Sequence, residues 1–437
     1  MINQTKLRCL LFVSTLVAAL IASAPGLAST ASKASLGPST QFYVPKPNQG
    51  AIEQIADLRS SGNTSDADLI RKMIETPQAV WFTQGTPKSV QQDVQNTVQR
   101  AADKGQVPVL VAYNIPFRDC ALFSAGGATS VAEYKAWIDG FAAGIGNGRA
   151  VVILEPDGLG IIPWYNRFAD RDTWLTNPNY EWCQPAEASP ATAASDRFAM
   201  LNYAVDTLKA NPGTSVYLDG THSAWLGSGD TADRLIQAGV ADADGFYLNV
   251  SNYQLNPRLE KYGTWVSKCI AFASPHPSFW GNGHSEWCAS QYFSPNGPVD
   301  PNDFSTWIYT DQWYKNNVES QTWWHSESVL KHFVIDTSRN GQGPWTPPSG
   351  AYPDAQDWCN PPDRGLGLRP TANTGNALID AYLWVKIPGE SDGECTRGLG
   401  PGGTTVDPEW GLIDPAAGQW FPEMALDLMH NENPSLP

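Results

Sequence analysis

Positive charge is scarce in this chain: 28 Lys and Arg stand against 44 Asp and Glu, a formal net charge of −16. That balance disfavours nucleic acid and anionic membrane surfaces as partners and favours an uncharged or cationic one. Histidine is scarce as well, six residues scattered over 437. With no CxxC pair and no HExxH stretch, no metal site is expected. The chain also lacks a GxSxG elbow, the usual mark of a serine-nucleophile hydrolase of the α/β type. "GLGPGG" (398–403) fits GxGxxG only in form, because no strand leads into it and no helix opens on it. No cofactor is expected. Tandem repeats and a Ser/Thr/Pro linker to a second module are missing too.

The long apolar run near the start is too short to span a bilayer. Lys6 and Arg8 precede an apolar stretch from about Leu10 to Leu20, and small residues follow up to Ala28. This is the pattern of a secretory signal peptide, so residues 1–28 are expected to be removed and the protein to be secreted. Residues 29–437 are then expected to form a single catalytic barrel domain, taken as a monomer. Loss of Lys6 and Arg8 leaves 26 cations against 44 acids. Six cysteines remain, Cys120, Cys183, Cys269, Cys288, Cys359 and Cys395. An even set in an exported chain reads as disulfides.

Tryptophan is abundant: 18 Trp accompany 15 Tyr and 15 Phe, many of them in Gly/Pro-rich stretches such as "SPHPSFWGNGHSEWC". Some must fill the core, but flat rings in loops can also stack on the apolar faces of sugars. Seven short β-like runs recur, at 79–85, 107–115, 151–157, 215–222, 245–251, 332–339 and 380–388, each turning polar at its C-terminal end. Helical spacing appears between several of them, as in 131–145 and 194–210. Strand, helix, strand implies a parallel sheet, and apolar strands with polar ends imply a closed α/β barrel whose site lies on the C-terminal rim.

"VVILEPDGLG" (151–160) poses the question most sharply, since a buried strand runs into Glu155, Pro156 and Asp157. In an extended strand Glu155 and Asp157 share a face. Further acids stand at or just past strand ends: Asp119, Asp219 and Asp392. Carboxyls facing one pocket repel, so some are expected to hold a proton while others stay charged. With an aromatic-lined cleft, that points first to glycoside cleavage. From about Tyr253 to Ser328 the periodicity fades into a Trp-rich segment, read as an ordered rim insertion. Its aromatic cluster (Trp265, Trp280, Trp287, Trp307, Trp313, Trp323, Trp324) is expected to fold over one end of the cleft and touch sugar, against the alternative of a private mini-core.

The blocks "YNIPFRDC", "VVILEPDGLG", "LDGTHSAWLG", "GFYLNVSNYQ", "HFVIDTSRNGQGPW", "WCNPPDRGLG" and "LWVKIPGESDG" resemble those of glycoside hydrolase family 6, over about residues 79–433. The resemblance implies a distorted seven-stranded parallel (β/α) barrel with long rim loops, and inverting hydrolysis of β-1,4-glucan or cello-oligosaccharides without metal or cofactor. It makes Asp157 the general acid, Asp119 the acid that keeps Asp157 protonated and helps the water, and Asp392 the candidate base. Tyr113 would lie beneath the distorted sugar, Ser124 near the nucleophilic water, and Asp219 would support. Trp81, Trp225 and Trp358 would be stacking platforms, and His222, Asn249, Lys386 and Glu390 sugar-binding positions. Glu155 matches no catalytic position and is assigned to structure. The resemblance also pairs Cys120 with Cys183 and Cys359 with Cys395, leaving Cys269 with Cys288. The 253–328 segment and the long loop over 393–418 look like those of chain-end-acting members, whereas the short loop after Asp119 looks like that of open-cleft members. Cutting of internal bonds is the reading taken. Chain-end action and non-catalytic glucan binding are the alternatives.

Overall fold

Seven short strands lie side by side in chain order, every neighbouring pair parallel: β1 (Val80–Phe82), β2 (Val109–Ala112), β3 (Ala150–Leu154), β4 (Thr214–Asp219), β5 (Gly245–Leu248), β6 (His332–Asp336) and β7 (Ile379–Leu383). This computed structural model describes residues 36–165, 183–295, 297 and 300–436. The expected signal peptide lies outside them. The sheet curls so that its edges meet through Ala79, whose N–H donates to the Trp384 carbonyl at 2.9 Å, and Trp81, whose Nε1 donates to the Val385 carbonyl at 2.8 Å. The result is a distorted barrel, as expected. Among the described residues, no helix is long and apolar enough to cross a membrane.

The period of two along each strand divides the core. Val109, Val111, Val151, Ile153, Tyr217, Tyr247, Val334, Ala381 and Leu383 point into the barrel. The alternate residues, among them Leu110, Val152, Leu154, Leu218, Phe246 and Phe333, pack outward on the crossover helices. Those helices are α3 (Pro87–Ala102), α4 (Val131–Ile145), α5 (Ala193–Lys209), α6 (Ser228–Gln237) and α7 (Asn256–Ala273); α1 (Gln49–Ser60), α2 (Thr64–Ile74) and α9 (Pro422–His430) form a separate layer, and α8 (Ile308–Tyr314) is short. Local chemistry starts them. Thr86 and Ser130 accept the backbone N–H of Ser89 and Glu133 at 3.2 Å as N-caps, and Pro87 opens α3 where its missing N–H costs nothing.

Strands end three to five residues earlier than their β-like runs do. The polar residues past β2 to β5 turn away with positive φ, as at Asp119 (55°), Glu155 (52°), Asp157 (62°), Thr221 (55°) and Asn249 (70°). Such backbone is uncommon for residues with a Cβ, and it concentrates on the rim.

The expected insertion begins too early. Residues 256–273 are the 18-residue crossover helix between β5 and β6, buried along most of its length. Its periodicity is masked because it buries several faces and because Gly263 must sit against the Phe333 ring, where a Cβ would come within 2.6 Å. The excursion proper runs from Ser274 to Lys331.

Candidate active site

The strand-end acids answer the question posed by Glu155. Glu155 continues the inward parity of Val151 and Ile153, is wholly buried, and accepts the backbone N–H groups of Asn114 and Ile115 at 2.9 Å each. Asp219 likewise accepts the N–H groups of Leu159 and Gly160 (both 3.0 Å) and of Thr221 (2.8 Å). Asp336 accepts those of Ser251, Ser338, Val385 and Lys386 between 2.9 and 3.2 Å. Each carboxyl therefore ties the loop of one strand to that of its neighbour. Asn249 belongs to this layer. It is fully buried, its Nδ2 donates to the Asp336 carbonyl (2.9 Å) and its Oδ1 accepts the Gln254 N–H (2.9 Å). It does not line the cleft, so the expectation of direct sugar contact is corrected to a scaffold position.

Above that layer opens a cleft of about 1080 Å³, into which Asp157, Asp119 and Asp392 all face. Their surroundings separate them. Burial pushes the Asp157 carboxyl well above the ordinary carboxylate range, and the charges of Asp219, Asp119 and Asp392 add to the shift. Asp119 is raised to about 6 by burial, partly offset by the Ser124 N–H that its Oδ2 accepts at 2.6 Å and by the Arg118 charge. Asp392 goes the other way. Burial would raise it, but Arg339 and Lys386 outweigh burial and hold it below the usual range. Arg339 Nη1 donates to its Oδ2 at 2.9 Å, Lys386 Nζ lies 3.2 Å from its Oδ1, and Tyr253 donates its hydroxyl to Oδ2 at 3.2 Å. One cleft thus holds an acid kept protonated and an acid kept ionised.

The remaining predicted positions surround these carboxyls. Tyr113 lines the floor with its ring edge-on to Trp81, centroids 5.4 Å apart. Trp225 and Trp358 form walls, and Gly160 has no alternative, since a Cβ there would lie 2.4 Å from the Trp225 ring. His222 lines the cleft 5.7 Å from Trp225; burial lowers it to about 4, and its Nδ1 accepts the Ala224 N–H, which places the neutral ring's proton on Nε2. Ser124, Lys386 and Glu390 line the cleft as well, Glu390 fixed by Asn48 Nδ2 at 2.8 Å. Asp219 is brought in from below, beside Asp157 rather than on the cleft wall.

A family model for glycosyl hydrolases family 6 matches residues 38–432. The chain belongs to this family. It is 32% identical over 395 residues to Endoglucanase A of Cellulomonas fimi, covering 90% of this chain and 62% of that relative's length. A probable 1,4-β-D-glucan cellobiohydrolase C of Aspergillus niger is 26% identical over 423 residues, 90% of this chain and 77% of that one. Among solved structures, the endoglucanase Cel6 of Mycobacterium tuberculosis, in complex with methyl-cellobiosyl-4-deoxy-4-thio-β-D-cellobioside, matches with a TM-score of 0.60 at 31% identity, covering 91% of this chain and 99% of that one.

Within this family 6 chain the three expected disulfides are present, Cys120–Cys183, Cys269–Cys288 and Cys359–Cys395. The Trp-rich excursion is a correction. None of the seven tryptophans, six in the excursion and Trp265 on α7, lines the cleft. Trp265 and Trp307 are buried against each other at 5.1 Å, His276 stacks on Trp323 at 4.0 Å, and Trp280 and Trp287 stack at 5.6 Å with nearly half their surface exposed. Trp265 and Trp307 join the core on the outer face of the barrel, and Trp313, Trp323 and Trp324 pack against it, which holds the excursion to α7. It meets the rim through Tyr292, whose hydroxyl donates to the Trp225 carbonyl at 3.0 Å, and Gln291, whose Nε2 donates to the Leu226 carbonyl at 3.0 Å. Reasoning from sequence missed Arg339, Tyr253, and the buried Arg197, which donates to the carbonyls of Pro116, Gly158 and Ile161 and so joins the Asp119 and Asp157 loops. Arg339 follows the β6 end in "IDTSR", so a cation beside so many rim acids was a usable signal. Among the described residues Cys395, Asp407 and Asp414 bring three donor atoms within 4.8 Å, but the sulfur is in a disulfide and both Asp407 oxygens are taken by Arg397. That set does not suit a metal.

Proposed function

We propose that the protein is a secreted enzyme that hydrolyses internal β-1,4-glucosidic bonds of cellulose or related β-glucans with inversion at the anomeric carbon. The observation that carries the reading is the opposite protonation of two carboxyls on one aromatic-lined cleft, Asp157 held neutral and Asp392 held ionised. Asp157 protonates the departing glycosidic oxygen. Asp392 accepts a proton from the attacking water, and Asp119, the Ser124 loop and Tyr113 position water and sugar. Inversion needs this division between acid and base on opposite faces, with no covalent nucleophile. Trp81, Trp225 and Trp358 supply the flat apolar faces on which glucose rings stack.

Chain-end action is the second reading, favoured by the loop over 393–418, which brings Thr396, Gly400 and Gly402 to the cleft. Internal cutting is preferred because no described residue of the excursion from Ser274 to Lys331 joins the cleft lining and the loop after Asp119 is short. Viscosity loss of a soluble cellulose derivative, plotted against reducing ends released, decides between them. A steep early fall in viscosity supports internal cutting, and release of cellobiose with little viscosity change overturns it. Proton NMR of fresh hydrolysate should show the α-anomer first; initial β-anomer would overturn inversion.

A further inference from the structure

Asp392 is gripped from a direction that the cleft does not explain. Asn360 follows the disulfide-bonded Cys359, is fully buried, and holds φ at 38°, in the left-handed region. Its backbone N–H donates to Asp392 Oδ2 at 3.0 Å while its side-chain Oδ1 accepts the Asp392 N–H at 2.7 Å. Its Nδ2 reaches Ser391 Oγ (2.9 Å), the Gly393 carbonyl (3.0 Å) and Asp414 Oδ2 (2.8 Å). Its carbonyl accepts Trp410 Nε1 at 2.7 Å and Arg397 Nη2 at 3.1 Å. Every polar atom of one asparagine is thus used, on the residues flanking Asp392 or on the layer behind them.

That layer is a closed chain of buried charge. Arg397 pairs with Asp407 through Nε (3.1 Å) and Nη2 (2.7 Å), both side chains out of solvent. Asp414 lies beside Asp407, and its buried Oδ1 has no donor. Burial beside the Asp407 carboxylate raises Asp414 to about 7, so it holds a proton as pH falls below neutral. In that state it is placed to donate to Asp407 while its Oδ2 accepts from Asn360 Nδ2 at 2.8 Å.

The grip also makes the two oxygens of Asp392 unequal. Among the described residues, Oδ2 accepts from Arg339, Tyr253 and Asn360, whereas Oδ1 has Lys386 Nζ alone. We propose that Asn360, locked from behind by Asp414, is the positioning residue that aims the Asp392 carboxylate, saturating Oδ2 and leaving Oδ1 as the atom that receives the proton of the attacking water. The proposal rests on the reading of Asp392 as the base.

The test uses the full-length enzyme on a soluble cello-oligosaccharide, with folding followed by thermal melting. Asn360→Ala is expected to lower kcat by about 10- to 100-fold with little change in KM, the signature of a misaligned reacting group. Because Asp392 then drifts from Arg339 and Lys386 while Tyr253, Asp119 and Asp157 still face it, the acid limb of kcat/KM should move to higher pH. Asp414→Ala should give the same signature in weaker form. Asp414→Asn should restore most of the loss, since its amide can donate to Asp407 and accept from Asn360. Folded Asn360→Ala and Asp414→Ala enzymes with unchanged kcat and acid limb overturn the proposal; if Asn360→Ala does not fold, equal rates in the two Asp414 variants do so. Asp392→Asn separates the underlying reading. If it still turns over unactivated oligomers at the wild-type rate, Asp392 is not the base; if it is inactive while the other variants behave as wild type, the base stands and the positioning role falls.

Discussion

Asp157 and Asp392 differ less in identity than in company. Among the described residues no cation pairs with Asp157, which is desolvated among three other acids, whereas Asp392 lies between Arg339 and Lys386. The active form needs the first protonated and the second ionised, so kcat/KM is expected to follow a broad bell in pH, its acid limb below the ordinary carboxylate range and its alkaline limb well above it. Asp157→Asn should lower kcat on unactivated cello-oligosaccharides by about 10²–10⁴-fold and leave KM nearly unchanged, a loss read from steady-state kinetics. Arg339→Gln tests the other side. It removes the strongest partner of Asp392, so Asp392 should rise toward its ordinary value and the acid limb should shift to higher pH, measured as the pH profile of the folded variant.

At the scale of elements, three strand ends, those of β3, β4 and β6, carry a carboxyl on the inward parity, Glu155, Asp219 or Asp336, that secures a neighbouring loop. Past β3 the cleft-facing Asp157 stands two residues beyond it on backbone of positive φ. The excursion after α7 has a different task. Its aromatic rings bury one another, and Cys269–Cys288 closes a span of 19 residues that anchors it to the helix. Removing that bridge with Cys269→Ala and Cys288→Ala should cost about 3 kcal/mol of stability by the loop-entropy estimate. Differential scanning calorimetry should show the lower melting point, while kcat and the product profile on soluble oligomers stay unchanged, because no described excursion residue lines the cleft.

For the molecule as a whole, buried carboxyls set the response to pH. Glu155 and Asp414 are raised to about 7 and Asp119 to about 6. A carboxyl whose folded value lies above its unfolded value stabilises fully below the unfolded value, near 4, and loses that contribution as pH rises through the folded value. His222, lowered to about 4, works in the opposite sense, costing stability as pH falls below about 6.5. Three carboxyls, with Asp157 in addition, outweigh one imidazole, and the net charge of −16 adds repulsion at neutral pH. The melting temperature is therefore expected to fall by several degrees between pH 5.5 and 7.5. A flat or rising profile by calorimetry would show that these carboxyls ionise without penalty.

Much of this was legible before any coordinates. Strands buried on both faces have to read as apolar runs, and a barrel rim has to make them polar at one end, so the seven parallel strands, the rim acids and the family resemblance stand in local sequence. The helix 256–273 does not, because a helix buried on several faces loses the periodicity by which it would be read. Nor does the fate of the tryptophans: a ring that stacks on sugar and a ring that stacks on His276 are the same residue in a sequence, and only packing separates them. The same holds for the acids. Glu155 and Asp157 share a strand face two residues apart, yet one binds backbone amides under the rim and the other faces the cleft. Local sequence determined where the carboxyls stand along the chain; which of them carries a proton was decided in space, by Lys386 six residues away together with Arg339 past β6 and Asn360 from the loop between β6 and β7, since a pKa depends on distance in space and not along the chain.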